Sequence, residues 1–245
     1  MKEESKKKSF IARRWWLIPI AVLLLVAIVF FSYVSVYYHA DDIALAAMES
    51  KDCVTVSKTS YGYLFDGPAE DRTLIFYPGG KVDEKAYAPL LSAFASAGMD
   101  VCLVKMPFRL AVFGANAATK VISEHSYEKY YLGGHSLGGA MAANYAATHG
   151  EELAGLILLA AYPTKKLPSS MLEILIVGSE DKVVNREKIE SGRALASEKY
   201  RECVIEGGNH AGFGSYGAQK GDGDLLIAPV AQWEETVSLV LSAIE

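Results

Sequence analysis

The sequence predicts an α/β protein: a mostly parallel, doubly wound sheet with helices on both faces and no large lid, preceded by one transmembrane helix. Three observations predict it. From residue 73 onward, short near-continuously apolar runs alternate with segments of helical period, as they do when parallel strands are covered on both faces. Residues 15–36 read WWLIPIAVLLLVAIVFFSYVSV, with no charge; as a helix this spans roughly 33 Å, the depth of a bilayer core. A Gly-x-Ser-x-Gly pattern lies at 134–138, between an apolar run and an alanine-rich helical run.

Composition narrows the class. The chain has 245 residues, enough for one domain with a sizeable core and something extra. Net charge is −5 with the two signs interspersed, and no basic stripe interleaved with aromatics points to nucleic acid. Cys53, Cys102 and Cys203 are far apart. They form neither a disulfide framework nor a metal-ligand spacing, although one bridge is compatible with their number. Cys102, within DVCLVK, reads as a buried core residue.

The apolar run is too long for a signal-peptide core of about 7–15 residues. Bulky Tyr37, Tyr38 and His39 follow it, not a small-residue cleavage site. Trp15 and Trp16 at one end, and Tyr33, Tyr37 and Tyr38 at the other, suit the two membrane interfaces. Lys2, Lys6, Lys7, Lys8, Arg13 and Arg14 precede the run, whereas Asp41, Asp42 and Glu49 follow it. The positive-inside rule therefore places the N-terminus in the cytoplasm and the remaining chain outside. The expected organisation is a cytoplasmic basic tail (1–14), an anchor helix (15–38), a juxtamembrane helix and opening hairpin (39–70), and a catalytic domain (71–245).

Taken in order, DDIALAAMES predicts a short helix, and VTVSKTSYGYLFDGP a hairpin about its Tyr-Gly turn. Strands are expected at 73–78, 100–105, 130–134, 153–161, 172–178 and 201–208. Helices are expected at 86–98, 111–125, 137–150, 185–198 and 228–245. Ligand sites in such sheets lie beyond the carboxyl ends of the strands. The connection AYPTKKLPSS is too short for a helical lid.

The chemistry gathers at those strand ends. Ser136, in Gly134-His135-Ser136-Leu137-Gly138, stands where a sharp strand-to-helix turn would project a hydroxyl; the alternative is a serine that merely caps the helix. A serine hydroxyl needs a base. His210, in EGGNHAGFG, follows a strand-like run in a glycine-rich loop. His135 sits beside the serine and is expected to point elsewhere. Asp181, in LIVGSEDKVV, lies between serine and histidine in the order Ser…Asp…His, and would orient the histidine. Glu180 is the runner-up acid. Asp222 and Asp224 follow the histidine and read as a solvated loop. The oxyanion donors expected are the N–H of Leu137, at a helix N-terminus, and that of Gly80 in PGGK, with Lys81 as second choice.

The segment from about Asp71 to Glu245, most of the part expected outside the membrane, resembles the α/β-hydrolase superfamily. The resemblance rests on FYPGGKV…AYAPLL, GGHSLGGAMAA, LAAYP, GSEDKVV and GGNHAGFGSYGAQKGDG. More narrowly it looks like a bacterial membrane-anchored branch, similar to dienelactone-hydrolase-like proteins but with serine where those carry cysteine. The oxyanion loop has Pro78-Gly79 where many members have His-Gly. The resemblance implies hydrolysis through an acyl-enzyme, with Ser136, His210 and Asp181 as triad and no metal or organic cofactor. The resulting expectation is a membrane-anchored, extracytoplasmic serine hydrolase of carboxylesterase or thioesterase type, taking a small-molecule or lipid-like acyl ester. A catalytically inactive binding module and an acyltransferase are the alternatives.

Overall fold

The computed structural model describes residues 15–68 and 71–245. The basic tail, 1–14, and the orientation that rests on its charges lie outside the described residues. The chain divides into two units, 1–37 and 38–245. In the first, helix α1 (Leu17–Ser35) is long and apolar enough to cross a membrane. Pro19 falls in its first turn, where a missing N–H is tolerated.

The second unit opens with α2 (Asp42–Ala46), whose N-terminus is capped by the Asp41 carboxylate accepting from the Ala44 N–H at 2.9 Å. Strands β1 (Thr55–Lys58) and β2 (Gly62–Asp66) form the expected hairpin. The remaining elements are β3 (Arg72–Tyr77), α3 (Ala88–Ser96), β4 (Asp100–Val104), α4 (Ala117–Glu124), β5 (Lys129–His135), α5 (Leu137–His149), β6 (Gly155–Leu159), β7 (Leu172–Gly178), α6 (Arg186–Gly192), β8 (Lys199–Ile205) and α7 (Pro229–Ile244). The sheet order is β1-β2-β4-β3-β5-β6-β7-β8. Every pairing from β4 to β8 is parallel, and β2 runs antiparallel to β4. The hairpin thus extends the sheet of the main body, so the boundary expected at residue 71 falls within one compact unit.

Strands β3, β4 and β6, apolar almost throughout, are buried along nearly their whole length, because helices cover the sheet: α3 packs with α7, and α5 packs over β5 and β6. Tyr77, Tyr87, Phe94, Tyr145 and Phe213 are among the bulkiest fully buried rings. The helix expected over 111–125 is broken. Residues 111–113 form one 3-10 turn and α4 begins only at Ala117, because Gly114 leaves the helical region at φ −137°. Residues 185–198 likewise hold only seven helical residues before a 3-10 turn at Arg193–Leu195. All three cysteines are free; the buried Cys102 sulfur accepts a hydrogen bond from the Tyr61 hydroxyl at 3.2 Å.

Candidate active site

The chain turns sharply where β5 meets α5. Ser136 adopts φ 53° and ψ −121°, a left-handed conformation that costs about 1–3 kcal/mol for a residue with a side chain and persists where surroundings enforce it. Its N–H donates to the Leu159 carbonyl at 2.9 Å, and its carbonyl accepts from the Ala140 N–H at 3.0 Å. The side chain makes no capping hydrogen bond. The residue is half-buried and lines a cavity, and its side chain does not cap the helix as the alternative reading expected. Tightness of the turn depends on Gly138: a Cβ there would lie 2.2 Å from the Tyr77 carbonyl oxygen and 2.3 Å from that of Pro78.

Asp181 and His210 come from the loops after β7 and β8. Asp181 Oδ2 lies 2.8 Å from His210 Nδ1, and both side chains are buried. The other carboxylate oxygen accepts from the N–H groups of Val183 and Val184 at 2.9 and 2.8 Å. With both oxygens used, the carboxylate is held in one orientation. A proton on Nδ1 directed at the carboxylate leaves Nε2 as the ring's acceptor. Glu180 points to Ser179 Oγ at 3.2 Å and does not reach the histidine.

Asp222 corrects the sequence reading. It is not a solvated side chain: Oδ2 accepts from the Ala211 N–H at 2.8 Å, and Oδ1 accepts from Gly223 at 2.8 Å and Lys182 at 3.3 Å. It therefore ties the segment after Asp181 to the segment after His210. Asp224, by contrast, is exposed as expected.

On the loop after β3, Gly79 donates its N–H to Tyr87 Oη at 3.0 Å and Lys81 donates its own to the Arg109 carbonyl at 2.8 Å. Lys81 is thereby excluded as a second-choice oxyanion donor. Gly80 sits directly against Leu137, since a Cβ on Gly80 would come 2.8 Å from Leu137 Cδ2. Among the described residues neither the Gly80 nor the Leu137 N–H has a turn, loop or cap partner.

Ser136 and His210 line one cavity of about 270 Å³. Leu137, Ala140, Ala161 and Val184 supply much of its apolar wall, and no Asp, Glu, Lys or Arg side chain lines it. Such a space suits an uncharged group. The connection 160–171 contains no helix, and its first residues, Ala160, Ala161 and Tyr162, line the cavity.

Sequence reasoning missed two further features. His135 does not point elsewhere: it is buried, its ring centroid is 4.4 Å from that of His210, and its Nδ1 lies 2.8 Å from Tyr87 Oη. Burial first, and then the neighbouring His210, hold its pKa well below the usual histidine value. The second feature is the segment Tyr38–Asp41. Tyr38 donates to the Lys81 carbonyl and accepts from the Asp83 N–H, both at 2.8 Å. Ser215 Oγ donates to the Asp41 carboxylate at 2.8 Å, and the Asp41 N–H donates to the Ser215 carbonyl at 3.0 Å. This strap joins the loop after β3 to the loop after β8. No local pattern in the sequence marks either feature, because both depend on contacts between distant segments.

A strained serine turn at the carboxyl end of a central strand, with a buried Asp–His pair on the next loops, defines a class of α/β enzyme fold. The chain belongs to the alpha/beta hydrolase family, which it matches over residues 73–234. Among solved structures it is similar to carboxyl esterase 2 from the mycorrhizal fungus Tuber melanosporum (11% identity, 85% of this chain and 91% of that one, TM-score 0.59). It is also similar to dienelactone hydrolase from Anabaena variabilis (13%, 78% and 99%, TM-score 0.56). A third similar structure is a bacterial membrane phospholipase A (14%, 95% and 98%, TM-score 0.56). At these identities the likeness is one of fold. No curated protein matches the sequence.

Proposed function

We propose that the protein is a membrane-anchored serine hydrolase of esterase type, acting on uncharged acyl esters outside the cytoplasmic membrane. The observation that carries this reading is the 2.8 Å contact between buried His210 and Asp181, on the same cavity as the uncapped Ser136 hydroxyl. The family match and the esterases among structural relatives support it. Helix α1 supports the anchor.

In this mechanism the acyl group of the ester occupies the apolar cavity. Ser136 Oγ attacks the carbonyl carbon while its proton passes to His210 Nε2. Asp181 holds the imidazolium through Nδ1–H. The N–H groups of Leu137 and Gly80 stabilise the negative oxygen. Collapse of the tetrahedral intermediate breaks the bond to the alkoxy oxygen, which takes the proton from His210 and leaves as the alcohol. Water, deprotonated by the same histidine, then attacks the acyl-serine, and the acid is released as Ser136 Oγ takes that proton back from His210.

A fluorophosphonate probe should label the full chain, and Ser136→Ala should abolish the labelling. Ser136→Ala or His210→Ala should lower ester turnover by about 10⁴ or more, and Asp181→Asn somewhat less. A folded protein that never labels and hydrolyses no ester in a panel of short, medium and long acyl chains is a binding module instead. Protease added to intact cells should degrade the domain; full protection on an accessible surface refutes the orientation.

A further inference from the structure

Three segments must keep register for the chemistry above: the loop bearing Gly80, the turn bearing Ser136, and the loop bearing His210. One buried chain of polar groups joins all three. Gly79 donates its N–H to Tyr87 Oη at 3.0 Å. Tyr87 is wholly buried, which keeps its phenol protonated. Since its oxygen already accepts from Gly79, the phenol proton is directed to His135 Nδ1, 2.8 Å away. The His135 proton must then reside on Nε2. That nitrogen makes no hydrogen bond of ordinary geometry, although the His210 main chain favours its protonated form. The His135 ring meets that of His210 at 4.4 Å with their planes tilted by 52°, and Phe213 lies 5.6 Å from His135 at a tilt of 42°. The fit is tight: a Cβ on Gly79 would stand 2.6 Å from Tyr87 Oη and 2.9 Å from His135 Nδ1.

We propose that Tyr87 and His135 are positioning residues that lock the Gly80 N–H and the His210 ring to the two sides of Ser136. The proposal rests on the serine-hydrolase reading. Neither residue touches the reacting atoms. Tyr87 holds Gly79, and so fixes the direction of the next amide in the chain. His135, immediately before the serine, sets a neutral ring against His210. Neutrality matters here, because a second imidazolium against His210 would oppose the positive charge that forms on it in the transition state. Burial keeps the ring neutral, and the Tyr87 hydroxyl, by filling the Nδ1 lone pair, sets its tautomer.

Misplacing an oxyanion donor or base by about an ångström can cost on the order of 100-fold in rate. The loss appears in the transition state and leaves binding of the acyl ester intact. Steady-state hydrolysis of a p-nitrophenyl ester and affinity for an alkyl boronic acid, which forms a tetrahedral adduct with serine, read this difference. Tyr87→Phe and His135→Phe should each lower kcat by about 10–100-fold with KM within about two-fold, and weaken boronic acid binding by a similar factor. His135→Asn keeps an acceptor for the phenol in place of Nδ1, and should recover most of the lost kcat relative to His135→Phe. In ¹⁵N-histidine spectra of the full chain, His135 should be neutral with its proton on Nε2. A folded Tyr87→Phe protein with wild-type kcat and boronic acid affinity overturns the proposal, as does a His135 proton on Nδ1. If wild-type protein neither labels with fluorophosphonate nor hydrolyses esters, the hydrolase reading itself fails and this proposal falls with it.

Discussion

Asp222 accepts a hydrogen bond from the main-chain N–H of Ala211 at 2.8 Å, and its other oxygen accepts from Lys182 and Gly223. One carboxylate thus links the residues that follow Asp181 and His210. Asp222→Ala should leave three N–H groups without this acceptor and loosen the acid–base pair. We expect kcat for a p-nitrophenyl ester to fall about 10-fold or more. Asp224→Ala, two residues on and exposed, should change it little. Equal effects from the two substitutions would contradict the linkage.

Gly138 has no room for a side chain. A methyl group there meets two carbonyl oxygens at 2.2 and 2.3 Å, both on rigid backbone at the end of β3. Gly138→Ala should therefore destabilise the fold by about 3 kcal/mol or more. Gly217 is the contrast, since a Cβ there meets nothing within 4 Å, although φ is +78°. Gly217→Ala should cost only the left-handed penalty of about 1–2 kcal/mol. Chemical denaturation of the two variants would compare them directly.

Tyr38–Asp41 braces the loop after β3 against the loop after β8. A chain beginning at Tyr38 keeps the contacts to Lys81, Asp83 and Ser215 and should hydrolyse esters at close to the full rate. A chain beginning at Met48 loses them, and also the hydrogen bond from the Lys220 N–H to Tyr38 Oη at 3.1 Å. Its kcat should fall by about 10-fold or more. Matched activity of the two truncations would show that the strap is dispensable.

Glu173 gives a pH dependence unrelated to the site. It is wholly buried at the start of β7; one carboxylate oxygen accepts from the Ser197 N–H at 2.8 Å, and the other is buried without a partner. Burial raises its pKa, with Ser197 and Lys166 only partly opposing the shift. The folded state therefore holds this proton more tightly than the unfolded state. Stability falls as pH rises from the ordinary carboxyl range through the raised folded value, and the loss persists above it. Glu173→Gln removes that loss. Its Tm should exceed that of the wild type by about 2–4 °C near neutral pH, with the difference vanishing once the wild-type carboxyl is protonated. A constant offset at every pH would assign the change to packing instead.

The parallel sheet was legible because β3, β4, β6 and β7 are apolar almost throughout and are separated by helical-period segments. The gathering of Ser136, Asp181 and His210 at one edge of the sheet was legible because each follows a strand end. The 111–125 helix failed because an alanine-rich periodicity hid the break at Gly114. His135, Tyr87, Asp222 and the strap went unread for one reason. Each acts through a partner many residues away, Tyr87 and His135 being 48 apart and Asp41 and Ser215 174 apart, and spacing along the chain carries no trace of such contacts.

The cavity wall is made of short side chains where it runs along α5 and the end of β6, at Ala140, Ala160 and Ala161. A wall of methyl groups works as a length gauge: it admits a chain until the far surface is met, and it is recalibrated by changing one methyl. Ala140→Leu, at a half-exposed helical position, should shift preference toward esters several carbons shorter. Each methylene excluded is worth about 1–3 kcal/mol of discrimination. On the proposed esterase reading, chain-length selectivity would then be set by these three alanines, separately from Ser136, His210 and Asp181.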